Sequence, residues 1–383
     1  MDLKNVLDSK EKIYSIDLFI TEECNLKCKY CFHRKGKEVS GAPNQTFTVE
    51  DGRRVLDRVY KLNPDSMTVN FFGGEPLLYP DMLLDLMRYT KELWKDKGKL
   101  VISTNGTVFN KELFAELKSM DVGIQVSFDG DEDTQNSNRG EFDLVASNIK
   151  NMLEFGAVIT VRMTFTPDNV GSLSKNVQFI HDLGVEKIVH HAVMEADWTE
   201  EAIREYNVQL LNLLHYRRYC QNKKMPLTIG FIDKCLLILN DELPIEKDFC
   251  AAGKSFIAIL PNGDVYPCHR AASKRIFKLG NIFNEDRPFI RGIFLDIDKI
   301  SQGCQKNCRA AKICHTCIMV QFEVMGDLQK PLLQNHYCDI PCLEYDLCKQ
   351  YLPTEISDKQ GRMLTSLAQV VSDIMERLDD AEK

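Results

Sequence analysis

Between Ile13 and Met194, strand-like and helix-like runs alternate six times, and this alternation constrains the fold more than any other feature of the chain. The runs IYSIDLFIT, SMTVNFFGG, LVISTNG, VGIQVSFDG, AVITVRMTF and VEKIVHHAVM are rich in β-branched and aromatic residues. The segments between them carry apolar residues at helical spacing. Helical connections of this kind return the chain to the same end of a sheet, so the strands run parallel. Six β-α units predict a parallel sheet curled toward a barrel, and six rather than eight predict one that stays open. In such a fold the ligand site lies at the C-terminal ends of the strands. Four motifs fall at that edge: EECNLKCKYCFH, GGEP, STNG and SFDG, after the first to fourth strands.

The first motif puts Cys24, Cys28 and Cys31 on one loop, as C-x3-C-x2-C. The segment MDLKNVLDSKEK has no apolar signal region and no apolar run approaches about 18 residues, so a cytoplasmic chain without a membrane partner is expected. Cytosolic thiols stay reduced, so fourteen cysteines need an explanation other than disulfides. They are also clustered: after Cys31 none follows until Cys220, and nine lie between Cys250 and Cys348. This distribution points to metal chemistry at two places. A net charge of −8 over 383 residues argues against nucleic acid as a partner.

Three thiolates can wrap one face of a 4Fe-4S cube, which has four vertices, and leave one iron open. An open vertex distinguishes catalytic metal sites from closed structural ones. On this motif alone, a zinc site completed by a distant cysteine or by His33 is the alternative. Beyond Met194 the pattern changes to a long helix, WTEEAIREYNVQLLNLLHYRRYC, and a shorter one, KCLLILNDEL. A β-hairpin then turns at Pro261-Asn262-Gly263, and 304–348 shows little periodicity. From Lys359 onward apolar residues recur at helical spacing, predicting a closing amphipathic helix. The expected division is a partial barrel over 1–215, a helical bridge over 216–249, a cysteine-rich domain over 250–350 and a C-terminal helix over 351–383.

The cysteine loop after strand one, with Tyr30 before its last cysteine and GGEP after strand two, resembles the radical S-adenosylmethionine superfamily. The resemblance implies that S-adenosylmethionine chelates the open iron and is reductively cleaved to a 5′-deoxyadenosyl radical. It implies that Gly73 and Gly74 let the backbone approach the methionine, and that Glu75 accepts from its ammonium group. Ser127 and Arg139 match the family's serine and arginine around the ribose and carboxylate. Asn105 either adds a polar contact or caps the following helix. Lys27 and Lys29 read as solvated loop charges.

Cys250, Gly263 and Cys268 form C-x12-G-x4-C, which resembles the SPASM auxiliary-cluster domain. The fold implied is a partial (β/α)6 TIM-like barrel followed by a small irregular SPASM domain. CQKNCRAAKICHTC departs from the family's usual C-x2-C-x5-C-x3-C by reading C-x3-C-x5-C-x2-C. The resemblance assigns Cys250, Cys268 and Cys317 to one auxiliary 4Fe-4S cluster and Cys304, Cys308, Cys314 and Cys338 to a second. With the radical-forming cluster this makes three. The first auxiliary set lacks a fourth ligand, to be supplied by Cys235, Cys342 or Cys348 or left open for a substrate thiolate. Cys220 reads as a buried thiol.

The SPASM resemblance implies a maturase of ribosomally made peptides that forms a crosslink, foremost a thioether from a cysteine thiol. The partners implied are a precursor peptide and a flavodoxin- or ferredoxin-type reductant. Twenty-three residues precede Cys24, so a separate leader-peptide-binding protein is one way to recruit the peptide. Anaerobic sulfatase maturases, the alternative, place an aspartate after the second hairpin cysteine, where this chain has His269. His269 reads either as a base or as a donor to cluster sulfur. An iron-sulfur electron carrier without turnover is the alternative of another class.

Overall fold

The computed structural model describes residues 12–41, 43–240, 250–272, 274–284, 289, 294, 308–314, 317–327 and 336–359. Of the C-terminal helix expected over 351–383, residues 360–383 lie outside them, and 351–359 continue a helix that begins at Asp339, before the expected boundary. Six strands stand side by side and parallel in sequence order: β1 (Ser15–Thr21), β2 (Met67–Gly73), β3 (Gly98–Thr104), β4 (Gly123–Ser127), β5 (Ile159–Phe165) and β6 (Lys187–Ala192). The cysteine loop runs from β1 into α1 (Phe32–Ser40), and α2 (Val49–Leu62) then leads to β2. The later crossovers are α3 (Pro80–Trp94), α4 (Lys111–Ser119), the pair α5 (Glu132–Asn138) and α6 (Phe142–Glu154), and α7 (Leu173–Asp182).

Side chains alternate across each strand. One face presents Ile16, Leu18, Ile20, Val69, Phe71, Ile102, Val126, Val161 and Ile188, all fully buried in the core that the helices close. Burying such aliphatic side chains stabilises the fold by about 1.5–3 kcal/mol each. The opposite, concave face carries Asp17, Asn70, Ser103, Gln125, Arg162 and His191 together with Phe19 and Phe72.

Two features extend this sheet beyond the six expected strands. After α8 (Glu200–Lys223), which crosses the boundary expected at 215, β7 (Thr228–Ile229) adds a seventh parallel strand beside β6. Its two residues are too few to carry a period. At the other edge the hairpin β8 (Phe256–Ile259) and β9 (Asp264–Tyr266) joins the barrel sheet directly, because β8 pairs parallel with β1, Ile16 opposite Ile257. With β10 (Gly280–Asn281) the order is β10-β9-β8-β1-β2-β3-β4-β5-β6-β7, an open ten-stranded sheet. The hairpin carrying Cys268 and His269 is therefore held at the edge of the strand that launches the cysteine loop.

The remaining described helices are α9 (Gly230–Leu239), α10 (Ile318–Met325) and α11 (Asp339–Lys359). Helix α11 is tied to α8 by Tyr206, whose hydroxyl donates to Glu344 at 2.5 Å, and by Tyr351, which donates to the Leu214 carbonyl at 3.0 Å. Among the described residues, no helix is long and apolar enough to cross a membrane.

Candidate active site

The cysteine loop is fastened to the GGEP turn by backbone alone. The Gly74 amide donates to the Thr21 carbonyl at 2.9 Å and the Glu75 amide to the Glu23 carbonyl at 2.8 Å. A Cβ on Gly73, whose φ is +136°, would sit 2.0 Å from the Thr21 oxygen, and one on Gly74 would sit 2.0 Å from the Glu23 oxygen. These are the glycines that the resemblance gives to the approach of a methionine, and the cysteine loop's own backbone also approaches them.

Glu75 is fully buried and accepts from Leu77 N at 3.0 Å, Thr104 Oγ1 at 2.8 Å and Asn105 N at 2.6 Å. Burial still raises its pKa to about 7. Three acceptor positions of this expected ammonium partner thus already hold the ends of β2 and β3 together. Asn105 donates through Nδ2 to Asn25 Oδ1 at 2.8 Å and lies 3.7 Å from Cys24 Sγ, so it braces the cysteine loop. It does not cap the next helix, because Asn110 accepts from Leu113 N in that role.

A second hub escapes the sequence reading. Asp129, from SFDG, is fully buried and receives the hydroxyl of Tyr30, Asn138 Nδ2 at 3.0 Å and Thr164 N at 2.8 Å. Arg139 Nε lies 3.0 Å from the same carboxylate, and its guanidinium sits 5.1 Å from the Tyr30 ring centroid. Burial works against the Arg139 charge, yet Asp129 holds its pKa above the usual arginine value. Tyr30 and Arg139, two expected cofactor residues, are thereby locked beside Cys28, whose thiolate Arg139 favours while burial opposes it. The signal available in the sequence is an aspartate two residues past a strand end. Ser127 closes β4, half-buried, in register with Arg162.

Cys24 is exposed, while Cys28 and Cys31 are half-buried. Cys24 Sγ accepts from Leu26 N at 3.5 Å and Cys31 Sγ from Arg34 N at 3.4 Å. Such donors, with Arg139, stabilise the negative sulfur that an iron-sulfur cluster requires, so this donor set fits one. Without a metal, the protein packed around Cys24 desolvates its thiolate and raises the thiol to about 11, although the residue keeps an exposed edge and Leu26 N and Asn105 act the other way. A zinc ion needs ligand atoms about 2.0–2.3 Å from one point. Among the described residues no three Cys, His, Asp or Glu side chains are grouped to hold a single ion. His33, the alternative zinc ligand, is buried with Nε2 3.6 Å from Glu22 Oε1.

In the second region, Cys268 is buried and feels the charges of Cys317 and Cys250. Cys308 and Cys342 have their Sγ atoms 3.9 Å apart, and Cys314 and Cys338 act on Tyr337. Cys304 lies outside the described residues. Of the three thiols that could complete the first auxiliary set, Cys342 lies beside Cys308, and Cys235 and Cys348 are buried in contact with each other. Cys220 is buried.

His269 stands at the junction of the two regions. Its Nδ1 is 2.5 Å from Asp17 Oδ2, and Asp17 also receives Asn70 Nδ2 at 2.7 Å. The ring packs 5.3 Å from Phe72 and 5.6 Å from Phe32, the residue after Cys31. Next to it, Arg270 bonds Glu195 at 2.7 Å and Glu323 at 3.0 Å, lies 5.3 Å from the Phe32 ring centroid, and stabilises the Cys317 thiolate.

Comparison with known proteins matches residues 18–180 to the radical SAM superfamily and 250–318 to the SPASM iron-sulfur cluster-binding domain. The antilisterial bacteriocin subtilosin biosynthesis protein AlbA of Bacillus subtilis (strain 168) is 24% identical over 78% of this chain and 66% of its own length. The chain spans about half to two thirds of the length of the curated relatives it matches. Among solved structures, native anSMEcpe with bound AdoMet superposes with a TM-score of 0.72 at 18% identity, covering 91% of this chain and 100% of that one. SuiB of Streptococcus suis, bound to precursor peptide SuiA, gives 0.59 at 19% identity, covering 88% and 77%. These structures share the fold. The chain carries a radical SAM domain over residues 18–180 and a SPASM domain over residues 250–318.

Proposed function

We propose that this protein is a peptide maturase that joins a cysteine thiol of a ribosomally made peptide to a carbon of the same peptide as a thioether. Cys24, Cys28 and Cys31 would hold the radical-forming 4Fe-4S cluster, with S-adenosylmethionine on its open iron. Cys250, Cys268 and Cys317 would hold one auxiliary cluster, and Cys304, Cys308, Cys314 and Cys338 a second, with Cys342 close at hand. When bound, these groups supply the radical that takes a hydrogen atom from the peptide carbon and the acceptor for the electron left over.

The protein's own part is to orient and to move a proton. The observation that carries the reading is the His269–Asp17 pair, with the ring half-exposed and its Nδ1 held by a buried carboxylate. Nε2 is then the nitrogen left to accept the thiol proton as carbon and sulfur join. AlbA, by its name, serves the biosynthesis of a bacteriocin, and SuiB binds a precursor peptide, which supports a peptide substrate here.

The test is anaerobic incubation of the reduced, cluster-loaded protein with S-adenosylmethionine and a cysteine-rich peptide encoded beside it, read by mass. The expected product is lighter by two hydrogens and has lost its free thiol. An aldehyde at serine or cysteine would instead assign the sulfatase-maturase reaction, and an unaltered peptide despite cleavage of S-adenosylmethionine would remove the thioether reading for that peptide.

A further inference from the structure

The concave face of the sheet carries a hydrogen-bonded polar belt across six strands. On one side Asn70 donates to Asp17 at 2.7 Å and Ser103 Oγ donates to Asn70 Oδ1 at 3.2 Å. On the other side Arg162 donates through Nη1 to Gln125 Oε1 at 3.1 Å and lies through Nη2 3.0 Å from His191 Nε2. Ser103 and Gln125 are register partners on β3 and β4, so the two strings meet.

The charges of the belt do not balance locally. Asp17 is buried and already engaged by His269 and Asn70. Arg162 has no carboxylate within ion-pair distance among the described residues, and its two side-chain partners, Gln125 and His191, are not anions. A guanidinium has five donors, and these two contacts leave at least two for a planar acceptor. Arg162 keeps an exposed edge, while desolvation by the protein around it lowers its pKa, with Asp17 acting against this and Arg139 adding to it. A cation at the middle of β5 with no ion-pair partner among the described residues, on the same face as His269's partner, is a good anchor for an incoming carboxylate.

We propose that Arg162 docks a carboxylate of the peptide substrate, an acidic side chain or a free C-terminus, and so sets which residue faces the radical. This rests on the peptide-maturase reading above and adds to it the chemistry of the segment recognised. Because the anchor lies on β5, Asp17 on β1 and His269 on the turn after β9, a docked peptide would lie across the concave face between them.

The test is a binding measurement without reductant, so its outcome is separate from whether any crosslink forms. Cluster-loaded protein is titrated by anaerobic equilibrium dialysis with N-acetyl-glutamate N-methylamide and its glutamine isostere. A second pair, N-acetyl-alanylglycine and its C-terminal amide, presents a terminal carboxylate. At least one acid should bind about tenfold or more tightly than its neutral partner, as charge-assisted hydrogen bonds do. The preferred acid identifies the source of the carboxylate. R162Q should bring the ratio to about one, and R162K should keep part of it, both with native circular dichroism. The preference should persist in saturating S-adenosylmethionine. The proposal is overturned if neither acid is preferred, if folded R162Q keeps the preference, or if S-adenosylmethionine abolishes it, which would give Arg162 to the cofactor's carboxylate.

Discussion

His269 Nδ1 and Asp17 Oδ2 lie 2.5 Å apart although 252 residues separate them in the chain. The contact exists because β8 pairs with β1 in parallel, which brings the end of the hairpin against the concave face of the barrel. It joins the two cysteine-bearing regions through a pair suited to proton transfer. H269Q and D17N should each lower crosslink formation by about 10²-fold or more. They should also raise the ratio of 5′-deoxyadenosine to crosslinked peptide. A histidine that merely packs against Phe72 would leave that ratio unchanged in D17N.

Gly73→Ala and Gly74→Ala should each cost about 1–3 kcal/mol in urea unfolding, since the added Cβ meets backbone oxygen rather than a mobile side chain. The larger effect should fall on iron, because the displaced backbone is that of the cysteine loop. Anaerobic reconstitution should leave these variants short of one cluster per chain, with the auxiliary content kept. Full iron loading in both variants would contradict this account of the glycines.

Asp129→Asn should cost about 3–5 kcal/mol, because it strands a buried arginine. Tyr30→Phe, which removes one donor from the same carboxylate, should cost about 1 kcal/mol. Both are measured by urea unfolding, and a D129N variant as stable as Y30F would show that Arg139 finds another partner.

His190 is 3% exposed on β6, and burial lowers its pKa to about 4. The sign follows from linkage: the unfolded chain takes up a proton near pH 6.5 that the folded state refuses until about pH 4. The stabilisation is complete above pH 6.5 and is lost as pH falls through that window. The loss amounts to about 3 kcal/mol when complete. His190→Gln should flatten the difference in urea midpoint between pH 7.5 and pH 4.5, and an unchanged difference would assign the acid sensitivity elsewhere.

The barrel and its catalytic edge were legible because they rest on local pattern. Period-two runs ending in CNLKCKYC, GGEP, STNG and SFDG place the motifs on strands, and those strands pair in the expected parallel order. What was not legible depends on contacts distant in sequence. Nothing near Asp17 announces His269, and the roles of Gly73 and Glu75 emerge only when the loops after β1, β2 and β3 are seen to hold one another. Asp129 sits inside SFDG, but its burial beneath Tyr30 and Arg139 is a tertiary fact. The strand β7 is too short to show a period, and the hairpin's pairing with β1 follows from a register that no local spacing encodes.

Cleavage of S-adenosylmethionine by the reduced protein tests the central claim most directly. With all clusters loaded, the protein should form 5′-deoxyadenosine and methionine under anaerobic reduction, and C24A, C28A or C31A should abolish it while auxiliary iron remains. Full cluster loading with no 5′-deoxyadenosine formed, with or without peptide, would contradict the account and leave an electron carrier in its place.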